Sequence, residues 1–352
     1  MSGRGRDAPD LSIAVVTWNT RELVCRCLAS ATREAAACAP RLACELLLVD
    51  NGSEDGTARA VAERFPEVRV LQLGRNEGFA AGANRGLAAA RGRHVLLLNS
   101  DARLLPGALA RCVAYLDAHP DVGAVSPLLL REDGRARATA HRFPGLASEL
   151  LPPGLLAWLA PRRFPSWRSL ARAPEDVEAV RGAALFLRAE LVREVGPLAE
   201  EYFFFLEETE WCWRARAAGW RIAIVPGARV VHLSGASSSR RSPARARIEY
   251  HRSLYRFFVR RRGPVRAAVV WMLRFGKSLV RVLLGAPLAL AVPRLRAPWR
   301  VQRALVAWHL RGCPHGAGLA PPWRVQRALV AWHLRGCPRG AGLAPPLAGG
   351  GA

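Results

Sequence analysis

Short apolar runs alternate with amphipathic stretches through the first half of the chain. The apolar runs are rich in valine, leucine and isoleucine, and they occupy Leu11–Thr17, Leu46–Val49, Val68–Leu73, His94–Leu98 and Val122–Ser126. The stretches between them have helical spacing or are rich in alanine, and they occupy Glu22–Ala37, Thr57–Phe65, Ala80–Arg91 and Pro106–Ala118. Strands that alternate with helices of this length predict βαβ units, so we expect an α/β fold with a mainly parallel sheet covered by helices.

The second half is less regular. Phe143–Pro174 is rich in proline, tryptophan and arginine without a clean period, which predicts a loop or a short-helix insertion. Further strands are predicted at Arg181–Leu187, Ile222–Val225 and Arg229–His232, and a helix at Leu206–Ala218. A serine- and arginine-rich linker at Gly235–Pro243 then closes the globular part, so we place the first domain at residues 1–239.

Charge divides the chain at the same place. The 352 residues carry a formal net charge of +24. The segment from Arg240 onward holds 22 of the 52 basic residues but only one of the 28 acidic residues, Glu249. Hydrophobic residues make up 51% of the whole chain, which excludes a disordered protein. The body is therefore close to neutral and the tail is strongly basic.

The first part of the tail, residues 240–297, is apolar but studded with cations. Arg266, Arg274, Lys277 and Arg281 interrupt Pro264–Val292, and the longest uncharged run there is 12 residues. A membrane-spanning helix needs about 20 apolar residues. We expect amphipathic helices that lie on an anionic membrane surface. The alternative is a helical subdomain that packs on the body and presents a solvated basic face.

The end of the tail, residues 298–352, contains a duplication. Pro298–Pro322 recurs as Pro322–Pro346 with a period of 24 residues and one difference, His315 against Arg339. Two copies do not make a solenoid, which needs about three or more. We therefore expect the second copy to be dispensable.

Polar side chains follow four successive predicted strands. Ligands of open α/β sheets bind outside the carboxyl ends of the strands, so these residues are expected to line one crevice. They are Thr17 and Asn19, then Asp50, Asn51, Ser53 and Asp55, then Arg75, Asn76 and Gly78, and finally Asn99, Ser100 and Asp101. Any one of them, Ser53 and Asp55 above all, could instead cap a helix or form a turn. Together they predict a nucleotide-like polar ligand.

Several of these segments carry a family resemblance. Val49–Thr57 and Arg75–Gly86 resemble the nucleotide-binding signature of family 2 glycosyltransferases, and Leu97–Ala102 resembles the family's Asp-x-Asp metal motif. Phe203–Arg214 is similar to its acidic motif and is followed by Gly219-Trp220 and His232. The resemblance covers about residues 10–260 and is nearest to the rhamnosyltransferase branch that acts on polysaccharide or cell-wall intermediates. It implies a GT-A fold and inversion at the anomeric carbon.

The resemblance also implies roles for individual residues. The residues expected to bind the nucleotide sugar are Thr17, Asn19, Asp50, Asn51, Ser53, Arg75, Asn76, Gly78, Asn84 and Asn99. Asp101 is the expected ligand of a divalent cation, Mg²⁺ or Mn²⁺, which can neutralise the departing diphosphate. His232 is a possible second ligand, or else a structural histidine at a strand end. Because Asn99 replaces the first carboxylate of the motif, we expect it to bind ribose or a metal-bound water.

The acidic motif supplies the expected general base. Glu207, Glu208 and Glu210 lie at the start of a predicted helix, whose positive end favours carboxylates. A carboxylate within reach of the acceptor hydroxyl can take its proton. In the family the second acid is the base, which implies Glu208, while Glu207 remains an alternative and at least one acid could simply decorate the helix end. The small residues Gly182-Ala183-Ala184 would let a substrate approach the backbone closely.

These observations predict a metal-dependent, inverting glycosyltransferase that moves a sugar, such as rhamnose from dTDP-rhamnose, to a polysaccharide, cell-wall or lipid-linked acceptor. The alternative is a non-catalytic nucleotide-sugar-binding or scaffold protein at the membrane. Nucleic acid is not an expected partner, because no base-stacking aromatic platform accompanies the arginines. Unpaired cysteine spacing and a short polar segment before Leu11 predict a cytoplasmic protein, peripheral on the inner face of the cell membrane.

Overall fold

The computed structural model describes residues 8–39, 41–160, 174–233 and 242–313. The alternating pattern of the first half is confirmed. The elements there are β1 (Leu11–Thr17), α1 (Arg21–Cys38), β2 (Cys44–Asp50), α2 (Thr57–Arg64), β3 (Arg69–Gln72), α3 (Phe79–Ala89), β4 (His94–Asn99), β5 (Ala102–Leu104), α4 (Ala108–Ala118) and β6 (Val122–Leu130). The short strand β5 has no apolar run of its own and was not predicted.

The second half contains more elements than its sequence pattern indicates. They are β7 (Ala140–His141), α5 (Leu146–Leu150), α6 (Pro153–Leu159), β8 (Glu175–Asp176), β9 (Ala179–Val180), β10 (Ala184–Arg188), α7 (Ala189–Val195), α8 (Glu207–Ala217), β11 (Arg221–His232), α9 (Pro243–Arg262), α10 (Pro264–Ala291) and α11 (Arg296–Leu310). The two strands predicted at 222–225 and 229–232 form one strand, β11, whose register with β6 shifts between Val225 and Arg229.

One strand breaks the parallel order of the central sheet. The order is β3-β2-β1-β4-β10-β6-β11-β5, with β1, β2, β3 and β4 mutually parallel and β6 parallel to β11. The strand β10 lies antiparallel between β4 and β6. Its amino-terminal end therefore meets the carboxyl end of β4, where the backbone N–H of Asn99 donates to the carbonyl of Ala183 over 3.0 Å.

Helices cover both faces of the sheet, as the uninterrupted apolar strands predict. One face packs against α1 and α4, through residues such as Leu28 and Leu109. The other packs against α3 and α8, through residues such as Ala83 and Trp211. The helix α3 lies very close to β1, because a Cβ at Gly82 would stand 2.9 Å from Cγ1 of Val16.

The core continues past the predicted domain boundary at residue 239. Side chains of α9 and α10 form a buried cluster with the segment that precedes α8, made of Tyr202, Leu206, Leu254, Phe257, Phe258, Ala267 and Val270. Arg260 of α9 pairs with Glu201 over 2.7 Å, and Arg261 pairs with Glu210. The division of the tail at 239 and 297 stays a functional prediction, because the packing crosses both points.

The helix α11 contains the start of the first repeat copy and lies against α9 and α10. Leu305 and Trp308 pack on Ile248 of α9, and the indole N–H of Trp299 donates to the carbonyl of Val282 over 3.0 Å. The second copy lies outside the described residues. Within the described ranges, no helix combines the length and hydrophobicity needed to cross a membrane.

If α9 belongs to the core of the globular body, its buried aromatic residues must support the fold. Phe257 is fully buried, so we expect Phe257→Ala to lower the free energy of unfolding by about 3–5 kcal/mol. Leu290→Ala, on an α10 side chain that is 76% exposed, should change it by less than about 0.5 kcal/mol. Denaturant unfolding of both variants checks this. Equal and small effects would show that α9 is only an appendage.

Candidate active site

Hydroxyl groups connect the carboxyl ends of β1 and β4. The hydroxyls of Thr17 and Thr20 are 2.8 Å apart, and that of Thr20 donates to Oγ of Ser100 over 3.0 Å. All three side chains are buried. Thr20 was not singled out from the sequence, although it directly follows a strand end where such residues were expected. The chain of hydroxyls fixes the two strand ends relative to each other.

The predicted residues after β2 form a network with Asn19. The backbone N–H of Asn19 donates to Oγ of Ser53 over 2.8 Å, and its Oδ1 accepts from the N–H of Glu54 over 2.7 Å. The N–H of Ser53 donates to Oδ1 of Asp50 over 3.1 Å. Asp55 binds the N–H groups of Thr57 and Arg21, so the structure gives it the turn role that was the alternative.

The amides of Asn51 and Asn76 shape the neighbouring loop. Nδ2 of Asn51 donates to Oδ1 of Asn76 over 3.1 Å and to the carbonyl of Gly78 over 2.9 Å. Gly52 has a φ of +75° and lies so close to the backbone of Arg75 that a Cβ would stand 2.6 Å from it. The guanidinium of Arg75 remains largely exposed above this loop, 3.5 Å from Glu77. The loop therefore brings Arg75 to the crevice by its backbone contacts.

The structure places Asn84 apart from this network. Its Nδ2 donates to the carbonyl of Leu198 and to Glu200, both over 2.9 Å, and its Oδ1 accepts from the N–H of Leu198. The amide thus ties α3 to the segment after α7. This is an architectural contact, and the binding role of Asn84 stays a prediction.

Asp101 and His232, the two expected metal ligands, lie side by side. Nε2 of His232 is 3.1 Å from Oδ1 of Asp101, and both side chains are largely buried. The contact is built by the sheet, because β11 pairs with β5 at His232 and Ala102 and the N–H of Leu233 donates to the carbonyl of Asp101. The register shift of β11 between Val225 and Arg229 comes just before His232 along the strand.

These residues fit a hard cation that is shared with a substrate. Nδ1 of His232 and Oδ1 of Asn99 are buried and have no hydrogen-bond partner in the described structure. Among the described residues, no group of three His, Cys, Asp or Glu side chains could hold a metal by itself. Mg²⁺ and similar ions are often held by one or two protein ligands together with substrate phosphates. A carboxylate next to an imidazole is such a partial set.

The acidic motif begins in an unusual backbone conformation. Phe205 and Leu206 have φ values of +72° and +65°, which non-glycine residues seldom adopt. The segment is held from two sides: the N–H of Phe79 donates to the carbonyl of Phe203 over 2.8 Å, and Oγ of Ser253 donates to that of Phe204 over 2.9 Å. This turn directs the first residues of α8 into the protein.

The structure separates the three acids. Glu210 is an ion-pair partner of Arg214 and Arg261, so its role is structural. Glu207 and Glu208 each have a buried Oε2 without a hydrogen-bond partner among the described atoms. Burial raises the pKa of Glu207 well above its usual range, and the nearby Glu208 and Glu249 raise it further. Burial also raises the pKa of Glu208, against the effect of backbone N–H groups and Arg181.

Gly182 connects the acids with the end of β4. A Cβ at Gly182 would stand 3.4 Å from Cγ of Glu208, and the next residue, Ala183, accepts a hydrogen bond from Asn99. The small residues predicted to let a substrate approach thus lie between Asn99 and Glu208. Gly182 and Ala183 therefore bring the expected base, Glu208, close to Asn99 at the end of β4.

Three charged residues near these groups were not found from the sequence. The charge of Arg181 lowers the pKa of Glu208, against the larger effect of burial. Arg137 donates a hydrogen bond to the carbonyl of His232 over 3.4 Å. The charge of Glu249, on α9, adds to the effect of burial in raising the pKa of Glu207. The arginines are hidden among many others, but Glu249 is the only acid of the basic tail and that isolation was a usable signal.

The raised pKa of Glu207 predicts a pH-dependent effect on stability. Its carboxyl holds a proton more tightly in the folded than in the unfolded chain, so stability present below about pH 4.5 is lost as the pH rises through the raised pKa. We expect Glu207→Gln to raise Tm at pH 7–8 by at least about 2–4 °C and to leave it unchanged near pH 4. Thermal unfolding across this pH range is the measurement.

Glu210→Gln is the matched control, because it removes a carboxylate of the same helix turn that has two arginine partners. It should lower Tm at neutral pH. A lower Tm for Glu207→Gln at neutral pH would contradict the assignment of Glu207 as a strained, buried acid.

Comparisons with known proteins identify the family and the fold type. The model of Glycosyl transferase family 2 matches residues 12–188. The N-acetylglucosaminyl-diphospho-decaprenol L-rhamnosyltransferase of Mycobacterium tuberculosis is 32% identical over 253 residues, which are 66% of this chain and 81% of the relative. The dTDP-rhamnosyl transferase RfbF of Shigella flexneri is 23% identical over 198 residues, 55% of this chain and 62% of the relative.

Two solved structures share the fold. GalNAc-T7 with UDP, GalNAc and Mn²⁺ matches with a TM-score of 0.51 at 19% identity, over 74% of this chain and 52% of that one. The mannosyltransferase PcManGT from Pyrobaculum calidifontis, in complex with GDP-Man and Mn²⁺, matches with a TM-score of 0.50 at 20% identity, over 87% of each chain. The predicted GT-A type of α/β fold is confirmed. By its sequence and the family model that matches it, the chain belongs to glycosyl transferase family 2.

Proposed function

We propose that the protein is an inverting, divalent-cation-dependent glycosyltransferase that moves rhamnose from dTDP-rhamnose to a lipid-linked acceptor of cell-wall polysaccharide synthesis. One observation carries the proposal: the Asp101–His232 pair follows β4, and Ala183 and Gly182 connect the end of β4 with the half-buried Glu208 and its buried neighbour Glu207. The named activities of the two rhamnosyltransferase relatives support the choice of donor, and that of the mycobacterial relative supports the acceptor class.

The donor is assigned to the crevice outside β1, β2 and β4. Asp50, Asn19 and Ser53 form its rigid floor through their mutual hydrogen bonds, and Arg75 offers a cation at its rim. Asp101 and His232 would hold Mg²⁺ or Mn²⁺ next to the donor's diphosphate. Such a cation, when bound, neutralises the negative charge that the leaving diphosphate develops.

Glu208 is assigned as the general base. Burial raises the pKa of the Glu208 carboxyl, which makes it a better proton acceptor at the moment of attack than an ordinary glutamate. It takes the proton of the acceptor hydroxyl as that oxygen bonds to the anomeric carbon and the bond to the diphosphate breaks. Attack from the face opposite the diphosphate inverts the configuration. Burial raises the pKa of the neighbouring Glu207, and the charge of Glu208 raises it further.

The base assignment predicts a loss of turnover without a loss of donor binding. Glu208→Gln keeps the shape of the side chain but removes the proton acceptor, so we expect the rate to fall by about 10²–10⁴-fold. The affinity for the nucleotide sugar should change less than about twofold. The measurement is transfer from a panel of nucleotide sugars, with and without Mg²⁺ or Mn²⁺, together with calorimetric donor binding.

Glu207→Gln and Glu210→Gln are the controls on the same helix turn. A large rate loss for Glu207→Gln and a small one for Glu208→Gln would exchange their roles. If the wild-type protein binds a donor yet transfers from none, the non-catalytic binding alternative is favoured.

We also propose that the protein attaches peripherally to an anionic membrane, on the inner face of the cell membrane. The helix α10 exposes a row of large apolar side chains, namely Val265, Met272, Val280, Leu283, Leu284, Leu288 and Leu290. Exposed side chains of this kind suit burial at the boundary between headgroups and acyl chains. The surrounding tail is basic, which favours anionic lipid.

Membrane attachment then depends on the leucines of α10. Burial of one leucine contributes about 1.5–3 kcal/mol, so Leu283→Ser with Leu284→Ser should weaken binding to anionic liposomes at least about tenfold. Removal of residues 323–352 deletes the second repeat copy and the six residues that follow it, and should leave binding intact. Co-sedimentation with vesicles measures both. If moderate salt releases the protein completely from the vesicles and the double serine variant binds like the wild type, the tail binds by charge alone and the membrane proposal is wrong.

A further inference from the structure

Three arginines near the candidate site lie outside the ion pairs that the described residues form. Arg137 is partly buried, and Arg181 and Arg247 are exposed to solvent. Within the described ranges, Arg137, Arg181 and Arg247 form no ion pair. The remaining residues of the chain include a single acid, Asp7. Unpaired arginines that lie beside a reaction centre are available for an anionic substrate.

The three arginines lie near different parts of the site: Arg137 near His232, Arg181 near Glu208 and Arg247 in a neighbouring cleft. Arg137 is bonded to the carbonyl of His232, on the donor side. Arg181 directly follows β9, where its N–H donates to the carbonyl of Thr139 over 2.8 Å. Its charge lowers the pKa of Glu208, against the larger effect of burial. Burial raises the pKa of the Tyr250 phenol, and the charges of Arg274, Arg247 and Arg181 lower it, so Arg181 and Arg247 both lie in the neighbourhood of this ring.

An open cleft begins beside Tyr250. It has a volume of about 410 Å³ and lies between α9 and α11. Phe205, Tyr250, Pro298 and Val301 give it a largely apolar lining, and Arg247 contributes the cation. Phe205 is also two residues before Glu207, in the strained turn of the acidic motif. The rings of Phe205 and Tyr250 are 5.9 Å apart, so the cleft begins beside the acidic motif, and the first repeat copy forms one of its walls.

We propose that Arg181 and Arg247 bind the diphosphate of the lipid-linked acceptor and that the cleft holds the first apolar carbons of its lipid chain. The inference rests on the proposed function, which supplies an acceptor of this chemistry. Guanidinium groups bind phosphate oxygens through paired, charge-assisted hydrogen bonds. A sugar joined to a diphosphate held at Arg181 lies on the side of Glu208, where its hydroxyl must lose a proton. The donor's diphosphate lies on the other side, near Asp101, His232 and Arg137.

Calorimetry with farnesyl diphosphate as the probe tests this without any turnover. Inorganic diphosphate and farnesol probe the two halves of the subsite separately. We expect farnesyl diphosphate to bind the wild-type protein more tightly than either, and Arg181→Gln and Arg247→Gln each to weaken it by about 10- to 100-fold. Val301→Asp should weaken farnesyl diphosphate about tenfold or more, while binding of inorganic diphosphate stays unchanged.

The control variant is Arg59→Gln, which removes an exposed arginine of α2 and should change no affinity. The affinity for dTDP with Mg²⁺ should stay within about twofold in both Arg181→Gln and Arg247→Gln. If dTDP binding falls while farnesyl diphosphate binding does not, the two arginines serve the donor and the proposal is wrong. It is equally wrong if both arginine variants bind farnesyl diphosphate like the wild type.

The binding experiment also separates this inference from the proposed function. If the protein binds farnesyl diphosphate through these arginines but transfers no sugar, the subsite proposal is supported and the proposed activity is wrong. Transfer to a lipid-linked acceptor that is unchanged in Arg181→Gln and Arg247→Gln would sustain the activity and overturn the subsite.

Discussion

Two adjacent carboxyl groups, Glu207 and Glu208, are buried at the start of α8 with oxygens that no described group satisfies. Burial of a carboxylate without partners is unfavourable, and it persists only where the surrounding structure enforces it. Here the positive φ angles of Phe205 and Leu206 turn the chain inward. Hydrogen bonds from Phe79 and Ser253 hold that turn from both sides. The absent side chain of Gly182 leaves the space that Glu208 fills.

The basic tail takes part in this enforcement. The helix α9 contributes Ser253 to the turn and Glu249 to the surroundings of Glu207, and its Arg261 neutralises Glu210 one turn along. Its aromatic residues complete a core cluster with Tyr202 and Leu206. The tail therefore contains two kinds of surface. Its inner helices belong to the catalytic body, and the apolar row of α10 is left exposed.

The donor side of the crevice is rigid for a different reason. Its polar groups are bonded mainly to one another, through the hydroxyl chain of Thr17, Thr20 and Ser100 and the amides of Asn19 and Asn51. Such networks hold the strand ends in fixed positions before any ligand arrives. The antiparallel strand β10 extends this order toward Glu208, because the residue before it, Ala183, accepts a hydrogen bond from Asn99. Donor groups and acids thus belong to one rigid edge.

The sequence by itself determined the alternation of strands and helices in the first half, the α/β class and the family, because periodicity and motif spacing are local properties. It also pointed to Asp101, His232, Glu207 and Glu208. It did not reveal β5, β7, β8 and β9, which are two or three residues long and exist only through their pairing partners. Tertiary structure decided which acid is neutralised, that the amides of Asn51 and Asn84 are used internally, and that Arg181 and Arg247 form no ion pair with a described carboxylate. The physical reason is that the role of a polar group depends on what faces it, and in a folded chain that is most often a residue distant in sequence.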